Sequence, residues 1–69
     1  MMSDYDEEAK YCGYALAEII CEYNQKFGKK AVPTNKSVKT HIKSSGTILK
    51  ADRRTINLVK HYANEKLNS

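Results

Sequence analysis

The stretch YDEEAKYCGYALAEIICEYNQKF, residues 5–27, repeats apolar side chains at intervals of three and four residues. The stripe runs through Tyr5, Ala9, Cys12, Leu16, Ile19, Tyr23 and Phe27. This spacing is the period of an α-helix that buries one face, and here it persists for more than five turns. Ser3 or Asp4 can cap the start of the helix, and Gly28 can end it. We therefore predict a helix over residues 4–28 with this stripe facing the core.

Gly13 lies inside the predicted helix, where glycine costs about 1 kcal/mol relative to alanine. Its presence predicts either that another helix approaches closely at this point or that the helix bends there.

A second helix is predicted for residues 35–44, because Pro33, Thr34 and Asn35 form a start signal. Val38 and Ile42 lie four residues apart and would form its buried face. Ile48 and Leu49, in the connection that follows, are apolar, and we expect both to anchor that connection to the core.

The third predicted helix covers residues 51–67 and begins with a cap at Ala51 or Asp52. Its apolar stripe consists of Ile56, Val59, Ala63 and Leu67. Together the three segments predict an all-α fold, a small three-helix domain. A chain of 69 residues forms one domain, and its core is small because only about 60% of the unfolded surface is buried at this size.

Charge is distributed unevenly along the chain. Residues 1–22 contain six carboxylates and one lysine, a net charge of −5, whereas residues 23–69 carry a net charge of +9. Such asymmetry suggests a polyanionic partner for the basic part. The alternative is that the acidic helix neutralises the basic helices, within the monomer or across a dimer.

Six cations lie between residues 36 and 54, and Asn57 follows them one helical turn after Arg53. The cations are Lys36, Lys39, Lys43, Lys50, Arg53 and Arg54. Such a set can neutralise phosphates largely independently of sequence. Arg53, Arg54 and Asn57 are the candidates for base recognition, since arginine pairs with guanine and asparagine with adenine. The alternative interpretation is a solvated face that keeps a small protein soluble.

A helix-turn-helix fits residues 37–55 poorly. That motif joins its helices by a turn of about three or four residues, whereas the break from Ser44 to Lys50 is longer and contains two apolar residues. We therefore expect two helices linked by a core-anchored loop, with a cationic surface suited to backbone contact.

The chain offers no catalytic or metal motif. Cys12 and Cys21 lie nine residues apart on one helix, too far for a disulfide. Their spacing and that of His41 and His61 differ from structural zinc sites. No nucleophile–base pair or phosphate loop is recognisable, so we expect no enzyme and no cofactor. The acidic N-terminus and the lack of an 18-residue apolar run predict a cytoplasmic protein without a membrane partner.

Tyrosines are concentrated on the first helix, and tyrosine is enriched at protein interfaces. Tyr11, Tyr14 and Cys21 lie off the main apolar stripe and would give this helix a second apolar face, available for a homodimer. Two hypotheses follow. The chain is either a small nucleic-acid-binding regulator, or a protein-binding inhibitor or adaptor that engages its partner through Tyr11, Tyr14 and Glu18.

Overall fold

Helix α1 spans Asp4–Phe27 and is the long helix predicted from the apolar stripe. It belongs to a computed structural model that describes residues 3–69 and contains three α-helices and no strand in that range. Ser3 caps α1 by accepting a hydrogen bond from the Asp6 amide, 3.2 Å away. Gly28 ends it with φ of 63°, a left-handed conformation that glycine adopts without strain. The helix thus ends one residue before the predicted boundary.

Helix α2, Asn35–Ser44, has the predicted bounds. Thr34 and Ser37 form a capping box at its start. The Thr34 hydroxyl accepts from the Ser37 amide at 3.1 Å, and the Ser37 hydroxyl accepts from the Thr34 amide at 2.9 Å. Val38 and Ile42 are buried, as the sequence predicts.

Helix α3, Arg53–Leu67, begins two residues later than the predicted residue 51. Asp52 is the N-cap, with an extended backbone at φ of −90° and ψ of 170°. Its carboxylate accepts a hydrogen bond from the Thr55 amide at 2.8 Å. A capping residue lies outside the helical conformation, and this sets the boundary.

Cross-helix contacts fix the direction of each helix. Near the start of α1, the Tyr5 hydroxyl lies 2.6 Å from Thr55 Oγ1. Near the far end of α3, Leu67 lines a cleft together with Ala17 and Cys21. Helices α1 and α3 are therefore parallel. Helix α2 is antiparallel to both. Thr34, just before its start, lines the same groove as Ile19, whereas Thr47, after its end, donates a hydrogen bond to Glu8 near the start of α1.

The core is built mostly from small and medium-sized side chains of all three helices. Its buried members are Ala9, Cys12, Leu16, Ala17, Ile20, Val38, Ile42, Leu49, Val59 and Ala63. Gly13 confirms the predicted close approach, because a Cβ atom there would lie 2.7 Å from the Val59 carbonyl oxygen. The α1–α3 contact is therefore tight enough to exclude a methyl group.

Two core expectations are wrong. Ile19, Tyr23 and Phe27, assigned to the buried stripe, are 54%, 45% and 55% exposed. For Tyr23 and Phe27, the reason is that α1 extends beyond the helices that would cover its last turns, whereas Ile19 lines the open groove between α1 and α2. Ile48, expected to anchor the connection, is 76% exposed, whereas its neighbour Leu49 is 8% exposed. Only Leu49 of the two anchors this non-helical segment to the core.

Candidate nucleic-acid interface

A row of lysines follows the outer side of α2. Lys36, Lys39 and Lys43 are all exposed, and their spacing of three and four residues places them on one side of the helix. Val38 and Ile42, on the opposite side, hold α2 against the core. The helix contains no acidic residue. Because the side that carries Val38 and Ile42 is buried, the lysine row faces solvent.

The edge of α3 next to α2 carries the second part of the interface. Lys60 Nζ donates a hydrogen bond to Asn35 Oδ1 at 3.2 Å, which identifies that edge. Arg53 and Asn57 lie seven and three residues before Lys60, and so on the same side of α3. Both are exposed. The structure thus brings Arg53 and Asn57 to the side of the molecule that carries the lysine row, and we call these five residues the α2–α3 face (Lys36, Lys39, Lys43, Arg53 and Asn57).

Arg54 points elsewhere. Its guanidinium carbon lies 5.8 Å from the centre of the Tyr5 ring, on the α1 side of α3. Consecutive helical residues are rotated by about 100°, and this separates Arg54 from Arg53. Lys50 is exposed in the connection before α3. Arg54 and Lys50 therefore lie at the margin of the α2–α3 face, with Arg54 turned towards α1.

Asp52 carries a negative charge beside these two cations. The pKa of its carboxyl is lowered from the ordinary value of 3.8, mainly by hydrogen bonds from the backbone and side chain of Thr55. The positive charges of Arg54 and Lys50 lower this pKa further. Asp52 is therefore ionised at neutral pH and would weaken phosphate binding at the margin and at its chain neighbour Arg53, the first residue of α3.

The cations of the α2–α3 face are not neutralised by ion pairs. Across residues 3–69, the single contact of ion-pair length joins His61 Nε2 to Glu65 Oε2 at 3.5 Å, and it involves no cation of the α2–α3 face. Two carboxylates of α1 accept hydrogen bonds from hydroxyl groups. Glu8 accepts a hydrogen bond from the Thr47 hydroxyl at 2.9 Å, and Glu7 accepts one from Tyr11 at 3.2 Å. Within the described residues, no carboxylate of α1 therefore forms an ion pair with the lysine row of α2.

The residues predicted to bind a protein partner fall into two environments. Tyr11 is 59% exposed, and Glu18, two turns further along the same side of α1, is also exposed. Tyr14 is half-buried and meets Tyr62 edge to face, with ring centres 6.4 Å apart at 85°. Tyr14 therefore contributes to the α1–α3 contact within the monomer, whereas Tyr11 and Glu18 are open to solvent.

The structure contains a groove of about 420 Å³ between α1 and α2 that the sequence did not predict. Leu16 and Ile19 line it from α1, and polar residues such as Thr40 and His41 line it from α2. Among the described residues, His41 has a buried Nε2 without a hydrogen-bond partner. Neighbouring helices create such a groove, so a single helix period could not have indicated it.

The thiols and carboxylates do not assemble a reactive centre in the described part of the chain. Burial raises the pKa of the Cys12 thiol above its ordinary value of 9.0, and the charge of Glu8 adds to this effect. A thiol with a raised pKa is a poor nucleophile. No group of three or more histidine, cysteine, aspartate or glutamate side chains within residues 3–69 is placed to hold a metal ion.

Comparisons with known proteins give no family for this chain. No protein-family model matches it, and no curated protein or solved structure shows significant similarity. Of the helices described here, none is both long and apolar enough to span a bilayer. The geometry and charge of the surface are therefore the basis on which a function can be proposed.

Proposed function

We propose that the protein binds nucleic acid through its α2–α3 face, with Lys36, Lys39, Lys43 and Arg53 contacting phosphates. The observation that carries this proposal is a set of exposed cations on two adjacent helices, none of them in an ion pair. Exposed lysines without carboxylate partners can release counterions from a phosphate backbone, which is the main source of non-specific affinity. Lys50 and Arg54 would add contacts at the margin.

Base recognition would be a minor part of this interaction. Arg53 and Asn57 are the two residues of the face suited to base edges, arginine to guanine and asparagine to adenine. The remaining three residues are lysines on α2, which position a protein on the backbone without selecting a sequence. We therefore expect a small regulatory protein with weak sequence preference. It would act in the cytoplasm, where its two free thiols remain reduced.

The decisive test compares two triple charge reversals with the same change in net charge. The face variant carries Lys39→Glu, Lys43→Glu and Arg53→Glu. The control variant carries Lys29→Glu, Lys30→Glu and Lys66→Glu, all exposed positions outside the face. Binding to a short DNA duplex is measured at two or more salt concentrations, with circular dichroism to confirm folding.

The face variant should lose binding, and the slope of log affinity against log salt should fall by about 3, since each phosphate contact contributes about 0.9. The control should keep most of that slope. Equal losses in both variants would mean that only net charge matters, and the proposal would be rejected. In the unmodified protein, amide shifts of residues 36–43 and 53–57 should respond first.

A second candidate function is supported by the exposure of Tyr11, which is 59%. Together with Glu18 it could contact a basic protein, with the chain acting as an inhibitor or adaptor. This hypothesis predicts capture of a protein partner that Tyr11→Ala and Glu18→Lys weaken, together with little binding to duplex DNA at physiological salt. Tyr14→Ala is less informative, because Tyr14 also packs against Tyr62. Capture unaffected by these changes would exclude α1 as the binding surface.

A further inference from the structure

The last turns of α1 extend beyond both neighbouring helices. Helix α1 has 24 residues, which corresponds to about 36 Å, and the longest dimension of the molecule is also 36 Å. Helix α3 has 15 residues; it starts opposite Tyr5 and ends opposite Cys21. Helix α2 starts beside Ile19. Residues 22–27 therefore have neither helix beside them.

An apolar ridge follows this extension. Ile19, Tyr23 and Phe27 are spaced by four residues, and each is about half exposed. The Tyr23 and Phe27 rings are 5.0 Å apart between centres, so the surface is continuous. The three side chains expose on the order of 300 Å², an area that on monomeric proteins often marks an interaction site. We call these residues the α1 ridge.

We infer that the α1 ridge binds a second copy of this chain, with the two α1 helices antiparallel about a two-fold axis near Tyr23. Ridges formed by residues four apart interdigitate in the commonest class of helix packing. Under this symmetry, Ile19 of each copy meets Phe27 of the other, and the two Tyr23 side chains meet at the axis. The same patch then serves both copies, as a two-fold interface requires.

The charges beside the ridge identify the occupant as a second copy. Glu22 and Lys26 lie on the same side of the ridge, and neither is in an ion pair within the described chain. An antiparallel two-fold brings Glu22 of each copy to within about two residues, or about 3 Å along the axis, of Lys26 of the other. A parallel two-fold would instead place the side carrying Glu22 and Lys26 of one copy opposite the other side of its partner's ridge, so these charges would not meet. The patch is therefore complementary to itself in the antiparallel arrangement.

The size of the ridge predicts a weak, reversible dimer. Stable complexes bury about 800 Å² on each partner, and the three ridge side chains supply less than half of that. Flanking residues such as Ala15 and Lys26 would add contact area. We expect a dissociation constant of roughly 10–100 µM, at the level of transient associations.

Sedimentation equilibrium of the full chain, without nucleic acid, tests the inference independently of the proposed function. Ile19→Asp should weaken self-association at least about tenfold. Ile48→Asp is the matched control, because Ile48 is 76% exposed and lies in the α2–α3 connection, away from the ridge. It should leave the dissociation constant within about twofold. A monomer at about 1 mM, or an equal effect of both changes, would overturn the inference.

A charge exchange tests the antiparallel arrangement while keeping the three ridge side chains. Lys26→Glu also removes the ammonium group 5.5 Å from the centre of the Phe27 ring, whereas Glu22→Lys leaves that contact in place. Glu22→Lys and Lys26→Glu should each weaken the dimer about threefold to tenfold, since every change occurs twice in the interface. The double variant restores opposite charges across the two-fold axis, and its dissociation constant should return towards the original value. A double variant as weak as its parents would refute the arrangement.

Discussion

Replacing Gly13 by alanine gives a direct test of the α1–α3 contact. The added Cβ would lie 2.7 Å from the Val59 carbonyl oxygen, 2.8 Å from Tyr62 Cβ and 3.0 Å from the Ala63 amide nitrogen. Two of these atoms belong to the backbone and the third is attached directly to it. None can move away by side-chain rotation, so α1 and α3 must separate to accommodate the methyl group.

Two opposing effects determine the change in stability. Glycine to alanine inside a helix gains about 1 kcal/mol from helix propensity. Overpacking a close contact costs about 1–3 kcal/mol, and we expect the upper part of that range because α1 and α3 form the largest helix–helix contact. The net result is a loss of about 1–2 kcal/mol. In a domain of this size, that lowers Tm by roughly 5–15 °C.

Thermal and urea unfolding followed by circular dichroism measure this change. Ala15→Gly is the matched control, since Ala15 is exposed on the same helix and its replacement should cost about 1 kcal/mol through propensity alone. Both variants should therefore be less stable than the parent, although their propensity effects have opposite signs. If Gly13→Ala instead raised Tm, the packing distance inferred between α1 and α3 would be refuted.

Three further predictions concern polar groups. Tyr5→Phe should cost about 1 kcal/mol in urea unfolding, because it removes one of the two partners of the buried Thr55 hydroxyl, the other being the Asp52 carboxylate. Thr55→Val should cost less when added to Tyr5→Phe than when made alone, and strict additivity would contradict this. In the native protein, a thiol reagent should modify the exposed Cys21 rapidly. The buried Cys12, whose pKa is raised by burial, should react only after unfolding. Rapid modification of both thiols would contradict the burial of Cys12 in the core. The lowered pKa of Asp52 means that its stabilising effect is present above its ordinary pKa of 3.8 and is lost as pH falls through the lower folded value. Asp52→Asn should therefore reduce the loss of Tm on acidification, and an unchanged pH profile would refute this cap's contribution.

The sequence by itself determined the three helices and most of their boundaries. These depend on local causes, namely the apolar period, the caps at Ser3 and Thr34, and the glycine that ends α1. The sequence also indicated the close approach at Gly13, since glycine inside a helix has a cost that tight packing explains. The α2 lysine row follows from the same period, because the side opposite Val38 and Ile42 must face solvent.

Only the tertiary structure decided which parts of each apolar stripe are covered. The period that buries Leu16 continues through Tyr23 and Phe27, yet α2 and α3 do not extend far enough along α1 to cover those positions. Helix pairing also decided which of two adjacent arginines faces α1: Arg54 lies over the Tyr5 ring, and Arg53 is turned away from it. Burial depends on the lengths and relative placement of neighbouring helices, and a periodic pattern within one helix contains no information about either.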